Sequence, residues 1–533
     1  MKRRSFAASA AALLMTSGLA LALDDHEGHG QVGKVTFANS CSPAVQADFA
    51  RGVAMLHSFW YSAGEQTFRD VLAKDPTCAI ATWGIAALLM SNPLAGVGSS
   101  AKDAEKAQAA LDQGRTIGAK TERERDYIGA VAEYYRDWAN RPEKARQESR
   151  SKAFEALAAR YPKDDEAQIF SALYIAGTQS QADQTYASYL KAAGILEKQF
   201  AKYPNHPGIA HYLIHSYDAP PIAARGLPAA RRYAALAPDA PHALHMPSHI
   251  FTRVGAWEDS VATNRRSFAV AIKGNELGEA YHATDYAVYA DLQMGRDAAA
   301  LSAMRDAFKI KVPPSSTMAF AAYYASAAMP ARYAVERGDW RGAMQLEPAG
   351  GKVPYTEAIT WFARALGAAR SGDVAAAEQN AAQLAIQHQA LVDAKNTYWA
   401  NEVEVQQRAA AGWIAFAQKK TDEGLTLMRA AADLEDKSEK HIVTPGRIVP
   451  ARELLGDMLL AAGQPALALT EYEASQKREP NRFRGYYGAA RAAEAVGDRK
   501  KAAASYGKLV ALARNADGQR PELVHAKTYV AQR

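Results

Sequence analysis

Apolar residues recur along the chain at helical spacing, in stripes that are each ended by a short polar turn. Leu454, Leu455, Met458 and Leu459 form one such stripe near the C-terminus. A turn at residues 462–465 follows, and a second stripe with the same spacing begins directly after it. Residues three and four positions apart lie on one face of a helix. The pattern therefore predicts a pair of helices joined by a tight turn.

The same helix pair returns with a fixed period. Gly463 and Gly497 lie in equivalent turns 34 residues apart, and Gly338 and Gly372 repeat this spacing earlier in the chain. Glycine at such a position ends the first helix of a pair with a left-handed cap. A period of this length is typical of an array of stacked helix pairs, so the sequence predicts an all-α fold.

These glycines, with the alanine, aromatic and proline positions around them, resemble the tetratricopeptide repeat (TPR) superfamily. The resemblance is most specific for residues 449–512 and good for residues 330–385, whereas other repeats stretch to 40 residues, as between Gly255 and Gly295. It implies a right-handed superhelical solenoid of about a dozen helix-turn-helix repeats. It also implies a scaffold whose first helices line a concave groove for a protein or peptide partner.

The sequence divides into six segments with different expected roles. We expect a signal peptide (1–22), a flexible tail (23–40), N-terminal TPR-like repeats (41–200), degenerate repeats with a histidine cluster (201–300), C-terminal repeats (301–515) and a C-terminal tail (516–533). Residues 345–354 lack a helical pattern, and we expect a longer loop there.

The N-terminus has the pattern of an export signal. Residues 2–4 are basic, residues 5–19 are small and apolar, and residues 20–22 are Ala-Leu-Ala, a typical cleavage site. Residues 3–6 also match the R-R-x-F pattern, so an ordinary secretory signal and a twin-arginine signal both fit. The sequence therefore predicts a periplasmic or secreted protein. No later stretch has the roughly 18 apolar residues of a spanning helix, so we expect a soluble chain.

The distribution of charge bears on nucleic-acid binding, and the cysteine content bears on disulfide formation. The net charge is +6, and acidic and basic residues are interspersed, which argues against a nucleic-acid partner. Cys41 and Cys78 are the two cysteines, 37 residues apart, close to the length of one repeat. In an oxidising compartment we expect them to form a disulfide, with two buried free thiols as the alternative.

Histidines are concentrated in one region of the chain. Seven of the 13 lie between residues 206 and 282: His206, His211, His215, His242, His245, His249 and His282. Several share a helical face at steps of three or four, and the last has Asp285 three residues later. We expect three successive first helices to present these side chains side by side.

The cluster leaves three interpretations open. It is a structural network of buried histidines and tyrosines, a metal site, or a set of groove residues that contact a ligand. Imidazoles with one carboxylate suit Zn or Cu, and the candidate ligands are His211, His215, His245, His249, His282 and Asp285. The candidate groove residues are His242, Arg253, Tyr286 and Tyr289. The scaffold requires no cofactor.

Pro247 complicates the helix that carries three of these histidines. Either a helix starts at Pro247 or an existing helix is kinked there. In the first case His242 and His245 fall on an entry loop, away from the stripe that contains His249. Residues 241–257 also resemble an HxxHMPSHIF-type stretch of exported, mostly uncharacterised bacterial TPR proteins, which implies a dedicated site but no activity.

Motifs of catalysis are missing from the sequence. It has no phosphate-binding glycine loop, no nucleophile elbow and no CxxC pair, and neither HxxxH pair contains the glutamate of the HExxH motif. We therefore name no catalytic residue and expect a binding scaffold more than an enzyme. The second hypothesis is a metal-binding protein or metal-dependent hydrolase that uses the cluster. The third is an envelope or assembly element with no discrete site.

Overall fold

The all-α prediction is confirmed. The computed structural model describes residues 30–316, 318–348 and 353–532, and every regular element within these ranges is a helix. Within the same ranges, no helix is both long enough and apolar enough to cross a membrane. The predicted signal peptide and the first residues of the predicted tail lie outside the described residues, as do residues 349–352 of the predicted 345–354 loop.

The first half of the chain forms sixteen α-helices and two short 3-10 helices. The α-helices are α1 (Gln46–His57), α2 (Tyr61–Lys74), α3 (Ala81–Leu89), α4 (Ala101–Ile117), α5 (Glu122–Tyr135), α6 (Glu143–Arg160), α7 (Asp165–Ala176), α8 (Ala187–Lys202), α9 (Pro207–Ser216), α10 (Leu227–Leu236), α11 (Pro241–His245), α12 (Pro247–Arg253), α13 (Trp257–Lys273), α14 (Leu277–Gln293), α15 (Asp297–Phe308) and α16 (Ala319–Glu336). The 3-10 helices are Pro43–Val45 and Ala223–Gly226.

The second half continues in the same way. Its helices are α17 (Trp340–Met344), α18 (Pro354–Ser371), α19 (Val374–Asp393), α20 (Thr397–Ala417), α21 (Thr421–Glu435), α22 (Ala451–Ala461), α23 (Pro465–Arg478), α24 (Phe483–Ala495), α25 (Arg499–Leu512) and α26 (Pro521–Ala531).

Helix pairs stack side by side, as the repeat period predicts. Consecutive helices pack against each other, and the first helix of one pair also packs against the first helix of the next. In the N-terminal part α1 contacts α3, α3 contacts α5 and α7 contacts α9; in the C-terminal part α14, α16, α18, α20, α22 and α24 contact one another in turn. Contacts of α9 with α12 and of α11 with α14 join the two parts, so the first helices from α7 to α24 form one continuous wall.

Glycine allows the tight turns between the paired helices. Gly463 has φ of 74° between α22 and α23, and Gly497 has φ of 79° between α24 and α25. These values lie in the left-handed region, where a side chain would be strained. The two glycines that showed the 34-residue period therefore occupy the turns predicted for them.

Residues 31–40 are packed, which corrects the expected flexible tail. Val32 and Phe37 are buried, and the Phe37 ring stacks on Trp83 with centroids 5.0 Å apart. The Ser40 amide donates to Glu124 Oε1 at 2.6 Å. The apolar side chains of this stretch are too few to form a helical stripe, but burying them stabilises an extended arm. Next to the arm, Cys41 and Cys78 are joined by a disulfide, with Cα atoms 4.7 Å apart.

The C-terminus is also ordered, which corrects the expected tail at 516–533. Helix α26 fills most of it, and Arg520 donates to the carboxylate of Asp297 at the start of α15. Helices α14 and α24 also touch each other, and Trp257 Nε1 donates to the Asn481 carbonyl at 2.7 Å. The end of the array is therefore bonded to its middle, unlike a simple solenoid in which each repeat contacts only its neighbours.

Residues 439–450 connect α21 to α22 as a buried segment without helix, which we call the inserted segment. Ile442, Val443, Ile448 and Val449 are buried in it. Its His441 Nε2 lies 3.1 Å from the Ala95 carbonyl, in the N-terminal half of the chain. The inserted segment thus lies against both halves of the molecule.

Candidate metal centre

Six histidines of the predicted cluster lie together on four helices. His211 and His215 are on α9, His242 and His245 on α11, His249 on α12 and His282 on α14. All six side chains are buried. His206, the seventh, caps the start of α9, where its Nδ1 accepts from the Ile209 amide. The helices that carry the six histidines contact one another, α9 with α12 and α11 with α14.

Pro247 starts a helix without breaking the histidine stripe. It occupies the first turn of α12, and the Met246 between α11 and α12 keeps helical dihedrals, with φ −54° and ψ −36°. The path of the backbone therefore continues through both helices, and His245 and His249 keep an i,i+4 relation across the proline. Their Nε2 atoms lie 3.1 Å apart. The alternative that places His242 and His245 on an entry loop does not apply, because both residues lie on α11.

The six histidines form two groups of three, in each of which one ring nitrogen of every residue lies within 4.8 Å of the other two. We call His211, His215 and His242 the first trio, and His245, His249 and His282 the second trio. Rings of the two trios approach each other, with centroids of His215 and His249 5.7 Å apart. The trios are therefore neighbours in one buried cluster.

The second trio has two nitrogen lone pairs that face each other. His249 Nδ1 lies 2.8 Å from Asp218 Oδ2, and His245 Nδ1 lies 2.7 Å from Asn264 Oδ1. The amide of Asn264 donates to the Ser260 carbonyl at 2.7 Å, which orients its oxygen toward His245. Both Nδ1 atoms must therefore donate, and both Nε2 atoms of the neutral rings are acceptors.

Asp218 is ionised, which secures the donor role of His249. Burial alone would raise the pKa of this carboxyl, but Lys440 and Arg253 beside it lower the pKa well below its usual range. Arg253 Nε donates to Asp218 Oδ1 at 2.8 Å. An ionised carboxylate can only accept, so the proton between Asp218 and His249 belongs to the ring.

The first trio is oriented in a similar way. His211 Nδ1 lies 2.7 Å from the carbonyl of His57, which can only accept, and His242 Nδ1 lies 3.2 Å from Glu279 Oε2. His211 and His215 again bring their Nε2 atoms to 3.1 Å. Metal-bound histidines typically donate their other ring nitrogen to a carbonyl or carboxylate, and four of the six rings do so or donate to an amide oxygen.

A third group shows what a satisfied network looks like in this protein. Glu166 accepts from His57 Nε2 at 2.9 Å and from His206 Nε2 at 3.0 Å. His57 Nδ1 in turn lies 2.9 Å from the Tyr212 hydroxyl. Every polar atom of this group has a protein partner of the opposite kind, so His57, Glu166 and His206 form a structural network.

Five of the six histidines in the two trios have a lowered pKa and are therefore neutral near pH 7. Burial, and then the neighbouring histidines, lower the pKa of His211, His215, His245 and His282 well below 6.5. Burial also lowers the pKa of His249, although the Asp218 carboxylate opposes the shift. Neutral imidazole is the form that binds a metal ion.

Asp285 does not join the trios, which corrects its assignment as a ligand. Its carboxylate forms an ion pair with the buried Arg332 of α16. Arg332 also donates to the Gly446 carbonyl at 2.9 Å. Three residues after His282 on α14, Asp285 faces the neighbouring first helix and not the cluster. Asp285 therefore contributes no carboxylate ligand to either trio.

The four expected groove residues are all buried against the chain itself. Tyr286 donates to the Ile442 carbonyl at 3.1 Å, and its ring lies 4.7 Å from that of His245. The remaining three residues have the following partners: His242 faces Glu279, Arg253 binds Asp218 and Glu439, and Tyr289 lies beside Glu479 and Arg482. At the cluster, the wall of first helices is therefore covered by the inserted segment.

The partners that orient the rings could not be recognised in the sequence. Asp218, Asn264 and Glu279 lie 31, 19 and 37 residues from the histidines that they contact. Asn264 is on α13, which carries none of these histidines, Glu279 is on α14 three residues before His282, and Asp218 lies in the turn after α9. The signal that could have indicated them is their polarity at buried positions, which only the packing makes visible.

Comparisons with known proteins add little to this geometry. No family model and no curated protein matches the chain. Among solved structures it is similar to the crystal structure of the APC/C hetero-tetramer Cut9–Hcn1, at 11% identity over 92% of this chain and 95% of that chain, with a TM-score of 0.28. It is also similar to the crystal structure of the yeast Tom70, at 12% identity over 90% and 88%, with a TM-score of 0.26. The architecture described above rests on the helices and contacts of this chain.

Proposed function

We propose that this chain is a metal-binding protein whose second trio holds one zinc or copper ion. The observation that supports the proposal most strongly is the 3.1 Å approach of His245 Nε2 and His249 Nε2. Both atoms bear lone pairs, since their Nδ1 partners each accept a proton. Two acceptors at this distance repel each other, and a shared cation removes the repulsion.

A proton is a poorer explanation than a metal ion. A proton shared by His245 and His249 would create a buried imidazolium, and the direction of both pKa values disfavours that charge. Around a metal ion with bonds of about 2.0 Å, neighbouring nitrogen ligands lie about 2.8 Å apart at a right angle and about 3.3 Å apart in a tetrahedron. The observed distance falls between these two values.

The ligand chemistry selects the kind of metal. Three imidazole nitrogens suit zinc and copper, whereas calcium and magnesium take oxygen ligands. Asn264 and Asp218 would then act on the metal indirectly, because they fix the orientation of the rings that hold it. His282 would supply the third nitrogen, with its ring centroid 4.2 Å from that of His245.

The surroundings favour retention of an ion over turnover of a large substrate. Tyr286 packs on the second trio, and the carbonyls of Ile442 and Thr444 accept from its hydroxyl. Lys440 of the same segment lies 3.5 Å from Asp218, the partner of His249. We therefore favour a protein that stores, transfers or is stabilised by its metal over a hydrolase.

Elemental analysis of untagged protein tests the proposal. We expect at least one equivalent of zinc or copper per chain, and at least one equivalent fewer in the His245→Asn/His249→Asn variant. His206→Asn is the matched control, because this buried histidine belongs to the satisfied network, and its metal content should equal that of the wild type. A wild-type chain that stays metal-free after incubation with Zn(II) or Cu(I) would reject the proposal.

The binding of a protein or peptide partner is a second candidate, placed elsewhere on the wall. A cavity of about 410 Å³ lies between first helices of the C-terminal part, lined by Trp340, Arg370, Tyr487 and Arg491 among others. Aromatic and arginine side chains are enriched in the contacts that stabilise protein interfaces. A photo-crosslinking residue at Tyr487 should capture one specific partner that the same residue at the exposed Val530 does not capture; equal capture at both sites would contradict this candidate.

A further inference from the structure

The first trio has two buried nitrogen atoms that no described residue satisfies. His242 Nε2 and His215 Nδ1 are both inaccessible to solvent and lack a hydrogen-bond partner within the described ranges. Leaving a buried polar atom without a partner costs about 1–3 kcal/mol. His242 Nδ1 lies 3.2 Å from Glu279 Oε2, and with Nδ1 as the donor of that hydrogen bond the unpartnered Nε2 bears a lone pair. A cation near this atom would satisfy it.

We propose that the first trio binds a second metal ion, and that the two trios together form a two-copper centre for Cu(I). The proposal rests on metal binding by the second trio and extends it. His211, His215 and His242 would hold the second ion, as His245, His249 and His282 hold the first. Each ion would then have three imidazole ligands and an oriented set of rings.

The backbone places the two ions as neighbours. His242 and His245 belong to one turn of α11, and their ring centroids are 6.0 Å apart. His215 of the first trio and His249 of the second are similarly close. One helix therefore supplies a ligand to each ion, so the ions share a single buried compartment.

Charge selects a monovalent ion for this compartment. Imidazole ligands bring no negative charge to the compartment, and the carboxylates that contact them are Asp218 and Glu279. Two divalent ions would add four positive charges to two such carboxylates, and Asp218 already faces Arg253 and Lys440. Uncompensated buried charge is strongly unfavourable. Two Cu(I) ions add only two charges, and imidazole is a suitable ligand for copper.

Anaerobic titration with Cu(I) against a chromophoric chelator tests the stoichiometry. We expect two tight equivalents for the wild type and for His206→Asn. We expect one for His215→Asn/His242→Asn, and one for His245→Asn/His249→Asn. Circular dichroism identifies any variant that does not fold. If His215→Asn/His242→Asn does not fold, the single His242→Gln variant replaces it. We then expect the affinity for the second Cu(I) equivalent to fall at least tenfold.

The outcomes separate the two proposals. One equivalent in the wild type, retained in His215→Asn/His242→Asn, would overturn the second ion and leave metal binding by the second trio intact. No equivalent in the wild type would overturn both. In a parallel titration, Zn(II) should fill fewer than two sites with comparable affinity, and two tight Zn(II) ions would overturn the selection of monovalent copper.

Discussion

At the residue scale, the chemistry of the centre depends on which ring nitrogen carries the proton. The sequence predicted the histidines and their shared face, because steps of three and four are visible in one dimension. It could not predict the tautomers, which are set by Asp218, Asn264, Glu279 and the His57 carbonyl. For the same reason it assigned Asp285 as a ligand, since the pairing with Arg332 arises only when α14 and α16 pack together.

Asn264 gives a direct test of this orientation. The Asn264→Ala variant removes the acceptor of His245 Nδ1 and should weaken metal binding 10- to 100-fold, as the loss of such ring partners typically does. Competition with a chelator of known affinity measures the change. Asp285→Asn is the control, and its metal affinity should match the wild type even if the fold is less stable. An equal loss in the two variants would contradict the assignment.

The buried His441 should make the free energy of unfolding decrease as the pH is lowered. Burial lowers its pKa from 6.5 to about 4, although its bond to the Ala95 carbonyl opposes the shift. Below pH 6.5 the unfolded chain takes up a proton that the native chain does not. This residue therefore lowers the free energy of unfolding by about 1.4 kcal/mol per pH unit as the pH falls toward 4.

Urea denaturation of metal-free protein between pH 7 and pH 4.5 measures this pH dependence of the free energy of unfolding. Glutamine can keep a hydrogen-bond donor to the Ala95 carbonyl but does not titrate. The free energy of unfolding of the His441→Gln variant should therefore fall less steeply with decreasing pH, by about 1.4 kcal/mol per pH unit. Parallel curves for the two proteins would show that His441 already titrates normally in the folded chain.

At the element scale, the helices were predictable and the inserted segment was not. Apolar periodicity and the turn glycines placed the helix pairs. Residues 439–450 contain Pro445, Gly446 and Pro450, which are typical of a surface loop. Their two apolar pairs, Ile442-Val443 and Ile448-Val449, were the signal for burial, but no periodicity shows what such a segment covers.

Gly446 tests the fit of the inserted segment. A Cβ at this position would lie 2.7 Å from the Tyr289 hydroxyl, closer than real contacts allow. The Gly446→Val variant should therefore lower the free energy of unfolding by about 1–3 kcal/mol and accelerate the transfer of metal to a chelator. Gly507→Ala is the control, because a Cβ there meets no described atom within 4 Å. Unchanged transfer in Gly446→Val would mean that the segment does not limit access to the centre.

At the scale of the whole molecule, long-range contacts tie the repeats into more than a chain of neighbours. Each repeat was predicted to contact only adjacent repeats, because period and spacing report nothing beyond the local pair. The structure adds contacts of α14 with α24 and of Asp297 with Arg520, between residues at least 190 positions apart in sequence. The predicted solenoid is therefore closed by contacts between its C-terminal end and its middle.

Arg520 is the residue through which this closure can be tested. The buried pair with Asp297 also includes a bond from Arg520 to the Leu292 carbonyl at 3.1 Å. Arg520→Ala leaves that carboxylate without its main partner and should lower the free energy of unfolding by about 3 kcal/mol. The exposed Arg514→Ala should change it by less than about 0.5 kcal/mol. Equal stability of the two variants would indicate that the C-terminal contact does not contribute to the fold.

X-ray diffraction from crystals of the copper-loaded chain, recorded at the copper absorption edge, tests the central claim most directly. The account predicts an anomalous peak about 2.0 Å from the ring nitrogens of His245, His249 and His282. It also predicts that Asp218 and Asn264 remain hydrogen-bonded to the opposite sides of their rings. An anomalous peak elsewhere in the molecule, with no peak inside the second trio, would contradict it.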